Sequence, residues 1–186
     1  MRADDLGLLT AVQDEQATWS WENFGEQPDV NPLLGIGEEL GEFYEATKSK
    51  DKLDALCDVA IYSMDYATRR RWNLAHLVEA HSPLIADNPT VQAMAISDCP
   101  LMVALGRLNH AHLKEAQGIR GDASVHQTAA KEALAAIFLE CAAEFYVLPQ
   151  ASKLSFVEAI SIVWSRVVEK RNWKKNPGGK KAKAAG

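Results

Sequence analysis

Apolar residues recur at helical spacing along nearly the whole of this chain of 186 residues. No segment alternates apolar and polar residues in the way that a half-buried strand does. The sequence therefore predicts an all-α protein whose helices bury one face each against a common core. The predicted helices cover residues of about 4–18, 32–46, 52–70, 73–81, 101–116, 125–147 and 155–172.

Length and composition favour one folded unit. With 47% hydrophobic residues the chain can bury a sizeable core, and we expect a single all-α domain over 1–176. Residues 82–100 hold three of the seven prolines, which indicates an irregular connection with a helical turn or two. Beyond Pro177 the sequence contains only Gly, Ala and Lys, so we expect 177–186 to be disordered.

The charge balance limits the classes of partner. A net charge of -5 gives no general attraction to DNA or RNA, so a nucleic acid polymer is not expected to bind. No apolar run reaches the length of a membrane helix, and the first residues carry acids where a signal peptide carries bases. We therefore expect a cytoplasmic protein without a membrane partner. Its three cysteines lack zinc-site spacing and are interpreted as reduced packing residues.

The segment GIGEELGEFYEA, residues 35–46, gathers carboxylates beside core residues. On a helical wheel Glu38, Glu42 and Glu45 share one side, and Glu39 lies about 60° from Glu42. The opposite side carries Ile36, Leu40 and Phe43. Taken alone, this pattern is typical of an amphipathic helix with a solvated acidic face.

The next predicted helix, DKLDALCDVAIYSMDYA, changes that interpretation. Its apolar residues cover most of the circumference, which is typical of a buried helix. Asp54, Asp58 and Asp65 nevertheless share one narrow stripe, and unpaired buried carboxylates are too costly without cations. No lysine or arginine lies between Lys52 and Arg69 to pair with them. A metal ion shared with the Glu-bearing helix is the simplest partner, and oxygen ligands favour Mg²⁺ or Mn²⁺ over zinc.

The two segments LLGIGEELGEFYEA and DALCDVAIYSMDYA resemble the paired motifs of the MazG-like all-α nucleoside triphosphate pyrophosphohydrolases. That superfamily carries E-E-x-x-E on one helix and E-x-x-D on the next. The matching acids here are Glu38, Glu39, Glu42 and Asp58. The chain departs from the pattern at Ala55, where the family often has Glu, and Asp54 is the residue that can take over. The resemblance covers residues of about 19–72.

The resemblance implies both an architecture and a set of roles. It implies a four-helix MazG-like bundle with flanking helices and a Mg²⁺ cofactor, for which Mn²⁺ can substitute. The metal ligands would be Glu38, Glu42 and Asp58, with Asp54 in support. Glu39 would be the general base that orients the water. The roles of Glu38 and Glu39 are open to exchange.

The resemblance also points to a base pocket. The segment WSWENFGEQPDVNP looks like the stretch that lines this pocket in several members of the superfamily. We expect Trp21 and Phe24 to stack on a nucleobase, although aromatic residues beside a helix start are core anchors about as often. Asn31 is expected either to bond the base or sugar or to cap the helix ahead of Pro32. Tyr62 is also expected to bind the substrate.

A basic segment near the end of the chain, VVEKRNWKKNP, looks like the C-terminal segment of MazG-like proteins. By this resemblance Lys170, Arg171 and Lys174 would reach the phosphates of the substrate. The alternative is that these bases complement the dipole of the last helix.

The second half of the chain repeats the acidic hairpin in degenerate form. ALGRLNHAHLKEAQGIRG and KEALAAIFLECAAEFYVL align with its two helices, but Arg107 stands at the position of Glu42 and Ala136 at that of Asp58. We expect this hairpin, about 101–148, to complete a four-helix core without binding a metal. A chance similarity between two amphipathic hairpins is the alternative.

These features predict a Mg²⁺-dependent pyrophosphohydrolase that cleaves a nucleoside triphosphate to the monophosphate and pyrophosphate. The pocket segment and QGIRG look most like the phage and bacterial enzymes of the MazZ type, which implies dGTP or GTP. The alternatives are a non-catalytic helical interaction module, phosphoribosyl-ATP pyrophosphohydrolase activity, or a dUTPase-like substrate choice. A homodimer or homotetramer is expected because the second half is rich in large apolar residues. These are Phe138, Leu139, Phe145, Tyr146, Phe156, Ile160, Ile162 and Trp164.

Overall fold

The computed structural model describes residues 3–85, 99–149 and 153–171. These residues form helices and contain no strand, so the all-α prediction is confirmed. The helices are α1 (Ala3–Phe24), α2 (Val30–Glu45), α3 (Ser49–Arg69), α4 (Leu74–Ile85), α5 (Pro100–Gln117), α6 (Ala123–Val147) and α7 (Phe156–Lys170). No helix in the described part of the chain is long and apolar enough to cross a membrane.

Three predictions fall wholly or mainly outside the described residues. They concern the disordered tail over 177–186, the phosphate contact of Lys174, and most of the irregular connection over 82–100. The described ends of that connection are helical, because α4 continues to Ile85 and α5 begins at Pro100.

α1 is longer than its sequence pattern predicts. It continues through the WSWENF segment to Phe24, and the chain turns at Gly25, where φ is +66°. Trp19 packs edge-on against Trp164 of α7 at 5.3 Å between ring centroids and against Phe24 at 5.6 Å. Tertiary packing of this kind stabilises helix beyond the point where local periodicity ends.

α2 begins slightly before the predicted position. Its first residue is Val30, so Pro32 lies in the first turn, where the missing N–H breaks no helical hydrogen bond. Asn31 therefore lies inside the helix, and its Nδ2 donates to Gln27 Oε1 at 3.0 Å. The interpretation of Asn31 as the cap is wrong, because Asp29 occupies that position, without a side-chain capping bond.

α3 lies at the centre of the fold. It packs against α1, α2, α4, α6 and α7, and the prediction that it is buried around most of its circumference is confirmed. Leu56 and Met64 are completely buried in it, and truncating such a side chain to alanine typically costs about 2–5 kcal/mol of unfolding free energy. The carboxylates of its middle and C-terminal parts, Asp54, Asp58 and Asp65, share one narrow, partly buried strip of the helix.

Two hairpins surround this centre. A three-residue connection, 46–48, joins α2 to α3, and a longer turn joins α5 to α6, whose first turn is capped by Asp122 accepting from Ser124 N and Val125 N. Across the hairpins, α2 contacts α5 and α3 contacts α6. Four helices thus pack in a closed ring of neighbours, with α1, α4 and α7 against its outside.

The large apolar residues of the second half mostly serve this chain's own core. Five of the eight that suggested an oligomer are at most 2% exposed: Phe138, Phe145, Phe156, Ile160 and Trp164. Tyr146 and Ile162 are exposed, at 57% and 41%. Most of these large apolar side chains are therefore buried within the chain's own core, because α7 packs against α1 and α3.

The cysteines differ in environment. Cys57 and Cys141 are buried free thiols, as expected for packing residues, whereas Cys99 is exposed at the start of α5. The interpretation of Cys99 as a buried packing residue is wrong, because the residue precedes the first helical turn of α5 rather than lying on its core face.

Candidate functional site

The predicted acids of α2 and α3 lie close enough to interact electrostatically. Burial, followed by the negative charges of Asp58, Glu42 and Glu38, raises the pKa of Glu39 to about 8. We call the five carboxylates at this place the acid cluster: Glu38, Glu39, Glu42, Asp54 and Asp58. The connection of three residues between α2 and α3 brings their carboxylate-bearing faces to the same side of the hairpin.

Asp58 is the most enclosed acid of the α3 side. Burial raises its pKa to about 6, the Arg171 guanidinium lowers it, and the charges of Asp54 and Glu42 raise it. The pKa values of both Asp58 and Glu39 are thus raised by burial and by neighbouring negative charges. Carboxyl groups with strongly shifted pKa values are concentrated at functional sites.

The donor set suits a hard divalent cation, because it consists of carboxylate oxygens whose repulsion a cation would relieve. Within the described residues, however, no group of three His, Cys, Asp or Glu side chains is already arranged to hold a metal ion. Glu38 and Glu42 are exposed on α2, so rotation about their side-chain bonds can bring their oxygens towards the half-buried Asp58.

A basic surface faces the α3 side of the acid cluster. A cavity of about 250 Å³ lies between α3 and α7. Its lining residues are Lys50, Asp54, Asp58, Val163, Arg166, Val167, Lys170 and Arg171. The structure therefore brings the predicted Lys170 and Arg171 to the predicted Asp54 and Asp58. Arg171 is central, because its charge also lowers the pKa of Glu39 and of Tyr62.

Sequence reasoning missed two members of this basic surface, Lys50 and Arg166. Arg166 lies four residues before Lys170, so the two share one face of α7, and this spacing was the available signal. The position of α7 is fixed at its start by a capping box, in which Ser155 Oγ accepts from Glu158 N at 3.2 Å. No comparable local signal linked Lys50 to α7.

Tyr62 lies beside the acid cluster. Burial, then the charges of Glu39, Glu38 and Asp58, raises the pKa of its phenol. Its ring lies directly on Gly35 of α2, where the methyl group of an alanine would come within 2.6 Å of the ring atoms. Glycine at this position therefore permits the close approach of α2 and α3 that sets the acids opposite each other.

The predicted base-pocket residues separate in the structure. Trp21 lines a second cavity, of about 200 Å³, between α1 and the C-terminal half of α3. Phe24 and Asn31 are not part of its lining: Phe24 packs edge-on against Trp19, and Asn31 bonds Gln27. The cavity is lined by Ala17, Ser20, Trp21, Gly25, Glu26, Gln27, Asp65, Thr68 and Arg69.

Asp65 does not belong to the acid cluster, although it shares the stripe of Asp54 and Asp58. Arg69 pairs with it, donating from Nε and Nη2 to Asp65 Oδ2 at 3.1 Å each. The expectation that no local base serves this stripe is therefore wrong for Asp65, because Arg69 lies one helical turn further along α3.

No protein-family model matches the chain, and no curated protein or solved structure matches it significantly. The resemblance to MazG-like enzymes accordingly depends on the spacing of the acids and on their surroundings.

A prediction follows from the contact between Gly35 and Tyr62. Gly35→Ala should lower the melting temperature, because its new methyl group cannot be accommodated at 2.6 Å from the Tyr62 ring. Gly41→Ala on the same helix is the matched control: nothing lies within 4 Å of its new methyl group, and removing a helix-interior glycine should add about 0.5–1 kcal/mol of stability. Thermal unfolding followed by circular dichroism gives the comparison. Equal stabilisation by both changes would contradict the close packing.

A second prediction concerns pH. Glu39 has a pKa of about 8 in the folded protein against 4.5 as its ordinary value, so the folded state holds an extra proton between these two values. Without divalent cations, the contribution of Glu39 to stability should therefore fall as pH rises from about 4.5 to about 8. Glu39→Gln should remove this dependence, so its melting temperature should exceed that of the wild type more at pH 8 than at pH 5.

The exposed Glu45, at the last position of α2, supplies the control for this experiment. Glu45→Gln should follow the pH dependence of the wild type when melting temperatures are measured in chelator-treated buffer. A Glu39→Gln curve parallel to that of the wild type would show that the Glu39 carboxylate is not crowded.

Proposed function

We propose that this chain is a Mg²⁺-dependent nucleoside triphosphate pyrophosphohydrolase, which releases a nucleoside monophosphate and pyrophosphate. The observation that carries the proposal is the cavity in which Asp54 and Asp58, two members of the acid cluster, lie opposite the basic end of α7. Carboxylates alone repel a triphosphate, whereas carboxylates that hold a cation, next to lysine and arginine, can bind one. The ring of α2, α3, α5 and α6 supports a MazG-like four-helix bundle as part of the same proposal.

In this proposal Glu38, Glu42 and Asp58, supported by Asp54, hold Mg²⁺ or Mn²⁺. The bound cation would supply charge neutralisation for the phosphate oxygens. Glu39 accepts a proton from a water whose oxygen attacks the α-phosphorus, while the bond from that phosphorus to the bridging oxygen breaks. Like charges and burial raise the pKa of Glu39 to about 8 in the protein without a cation, and a bound cation would favour the ionised form that accepts this proton. Glu38 remains the alternative choice for this role.

The basic residues of the cavity would bind the departing group. Lys170 and Arg171, together with Lys50 and Arg166, line this cavity. Guanidinium groups bind phosphate oxygens in pairs and need no proton exchange to stay charged. This arrangement lets pyrophosphate leave as a neutralised anion without help from outside the chain.

The rival class is a helical interaction module without catalysis. Crowded carboxylates with raised pKa values destabilise a fold that makes no use of them, which favours the catalytic proposal. Among catalytic alternatives, phosphoribosyl-ATP or dUTP hydrolysis would use the same acids, and dGTP or GTP is the substrate that we propose.

A third prediction tests the acids directly. Glu42→Gln and Asp58→Asn should each reduce Mg²⁺-dependent pyrophosphate release by about 100-fold or more, since even outer-shell changes cost 10–100-fold. The assay is a screen of the eight common nucleotides with pyrophosphate detection, with and without chelator. Arg107→Ala, at the corresponding position of the second hairpin, should leave turnover and Mg²⁺ affinity nearly unchanged. Full turnover in both acid variants would rule out this site.

The proposal includes assembly into a homodimer or homotetramer, and this is a fourth prediction. Tyr146 and Ile162 remain exposed after α7 has packed onto the core, and they can contribute to a subunit contact. Light scattering at micromolar concentration should give a mass of two or four chains. A monomer mass together with full activity would refute the assembly.

A further inference from the structure

The cavity beside Trp21 has the properties of a recognition site with fixed polar groups. The Trp21 side chain is 64% exposed although the residue lies in a helix that packs on the core. Across the cavity, the side chains of Asp65 and Arg69 are each only 13% exposed. An open aromatic surface thus lies next to a largely desolvated ion pair.

The ion pair is held rigidly. Besides its two bonds to Asp65, Arg69 donates from Nη2 to Ser20 Oγ at 3.1 Å and from Nη1 to the Gln27 carbonyl at 2.8 Å. Among the described residues this leaves one Nη1 hydrogen of Arg69 uncommitted. Asp65 Oδ1 receives only a long bond, of 3.4 Å, from Ser20 Oγ. The pair can therefore offer one strong donor and one carboxylate oxygen to a ligand.

The cavity lies on the same face of α3 as the acid cluster. Asp58 and Asp65 are seven residues apart, which places them about 10 Å apart along the helix axis. Tyr62 lies between them on that face, within about 60° of arc of both. A nucleotide whose phosphates meet the acid cluster would therefore extend its sugar past Tyr62 and its base towards Trp21.

We propose that this cavity binds a guanine base, which stacks on Trp21 and is identified by Asp65 and Arg69. The proposal rests on the proposed function in treating the ligand as a nucleotide. The base's O6 accepts from Arg69 Nη1, which matches the preference of arginine for guanine oxygen. The base's N1–H donates to Asp65, and its amino group faces the remaining carboxylate of the lining, Glu26.

The complementarity separates guanine from the other bases. The lining offers one guanidinium and two carboxylates, Asp65 and Glu26. Guanine presents one carbonyl beside two N–H donors. Adenine and cytosine present a single amino group beside a ring nitrogen. Uracil and thymine present one N–H between two carbonyl oxygens, and a carboxylate repels these oxygens. A buried group left without its partner is the usual source of strong discrimination.

The competing explanation is that the ion pair only fastens α1 to α3. The chain offers a control for it, because Asp29 and Arg70 form a second ion pair at 3.0 Å, in which the Asp29 side chain is 26% exposed and Arg70 has Glu115 as a further partner. That pair lies outside the lining of the Trp21 cavity. Asp29→Asn therefore reports the effect of losing a structural ion pair, and Asp65→Asn adds the loss of recognition.

Calorimetric titration with GMP, AMP and UMP, without divalent cations, tests the proposal independently of hydrolysis. The wild type should prefer GMP by about tenfold or more. Asp65→Asn should abolish most of that preference, whereas Asp29→Asn should keep it. Trp21→Ala should weaken the binding of all three nucleotides without changing their order. Ile119→Ala, an exposed apolar truncation in the turn between α5 and α6, should leave all three affinities unchanged.

Hydrolysis supplies the second readout. With dGTP as substrate, Asp65→Asn should raise KM about tenfold and leave kcat nearly unchanged, since the reacting phosphorus lies at the acid cluster. Equal binding of the three nucleotides by the wild type, or equal loss of GMP preference in Asp29→Asn, would overturn the guanine assignment. GMP binding that depends on Asp65 in a protein that hydrolyses nothing would refute the proposed function and leave this inference standing.

Discussion

The burial of α3 is the constraint on which the rest of the structure depends. Five helices pack around it, so its partly buried carboxylates need partners of opposite charge close by. Asp65 is met by Arg69 of the same helix, and Asp54 and Asp58 face the basic end of α7. Glu39 of α2 lies near Asp58, Glu42 and Glu38, and the positive charge of Arg171 only partly offsets these negative charges. The candidate site is the part of this strip where negative charge exceeds positive charge.

The fold was largely predictable from the sequence because periodicity is a local property. It indicated each helix and the burial of α3, whose apolar residues surround it. The predicted helix boundaries were wrong where tertiary contacts determine them. α1 continues to Phe24 because Trp19 packs on Trp164, a residue distant in sequence. Helix-wheel arguments likewise placed the acids of α2 and α3 correctly on shared faces, since a short connection fixes how two such helices meet.

The rest of the candidate site depends on contacts between distant elements. Lys50 and Asp58 meet Arg166 only because α7 folds back onto α3, and no local pattern contains that contact. The pairing of Asp65 with Arg69 is different, because a spacing of four residues on one helix was visible in the sequence. The separation of Trp21 from Phe24 could not be predicted, since it follows from α1 remaining helical through both residues.

The second hairpin, α5 and α6, has a helical pattern similar to that of the acidic hairpin but different residues at the aligned positions. Ala136, at the position that aligns with Asp58, is buried in α6, and neighbouring alanines of the same helix are buried with it. Small apolar side chains there let α6 pack closely on α3, where a carboxylate would need a partner of its own. The hairpin of α5 and α6 thus contributes apolar packing surface, and the hairpin of α2 and α3 carries the acid cluster.

In the proposed mechanism, the charge crowding on Glu39 also determines when that residue can act. With a pKa of about 8, Glu39 is mostly protonated at neutral pH and cannot accept a proton from water. Positive charge brought into the acid cluster favours its ionised form, because an opposite charge nearby lowers the pKa of a carboxyl group. Arg171 already acts in that direction. Glu39 would therefore become a base when the acid cluster binds a divalent cation.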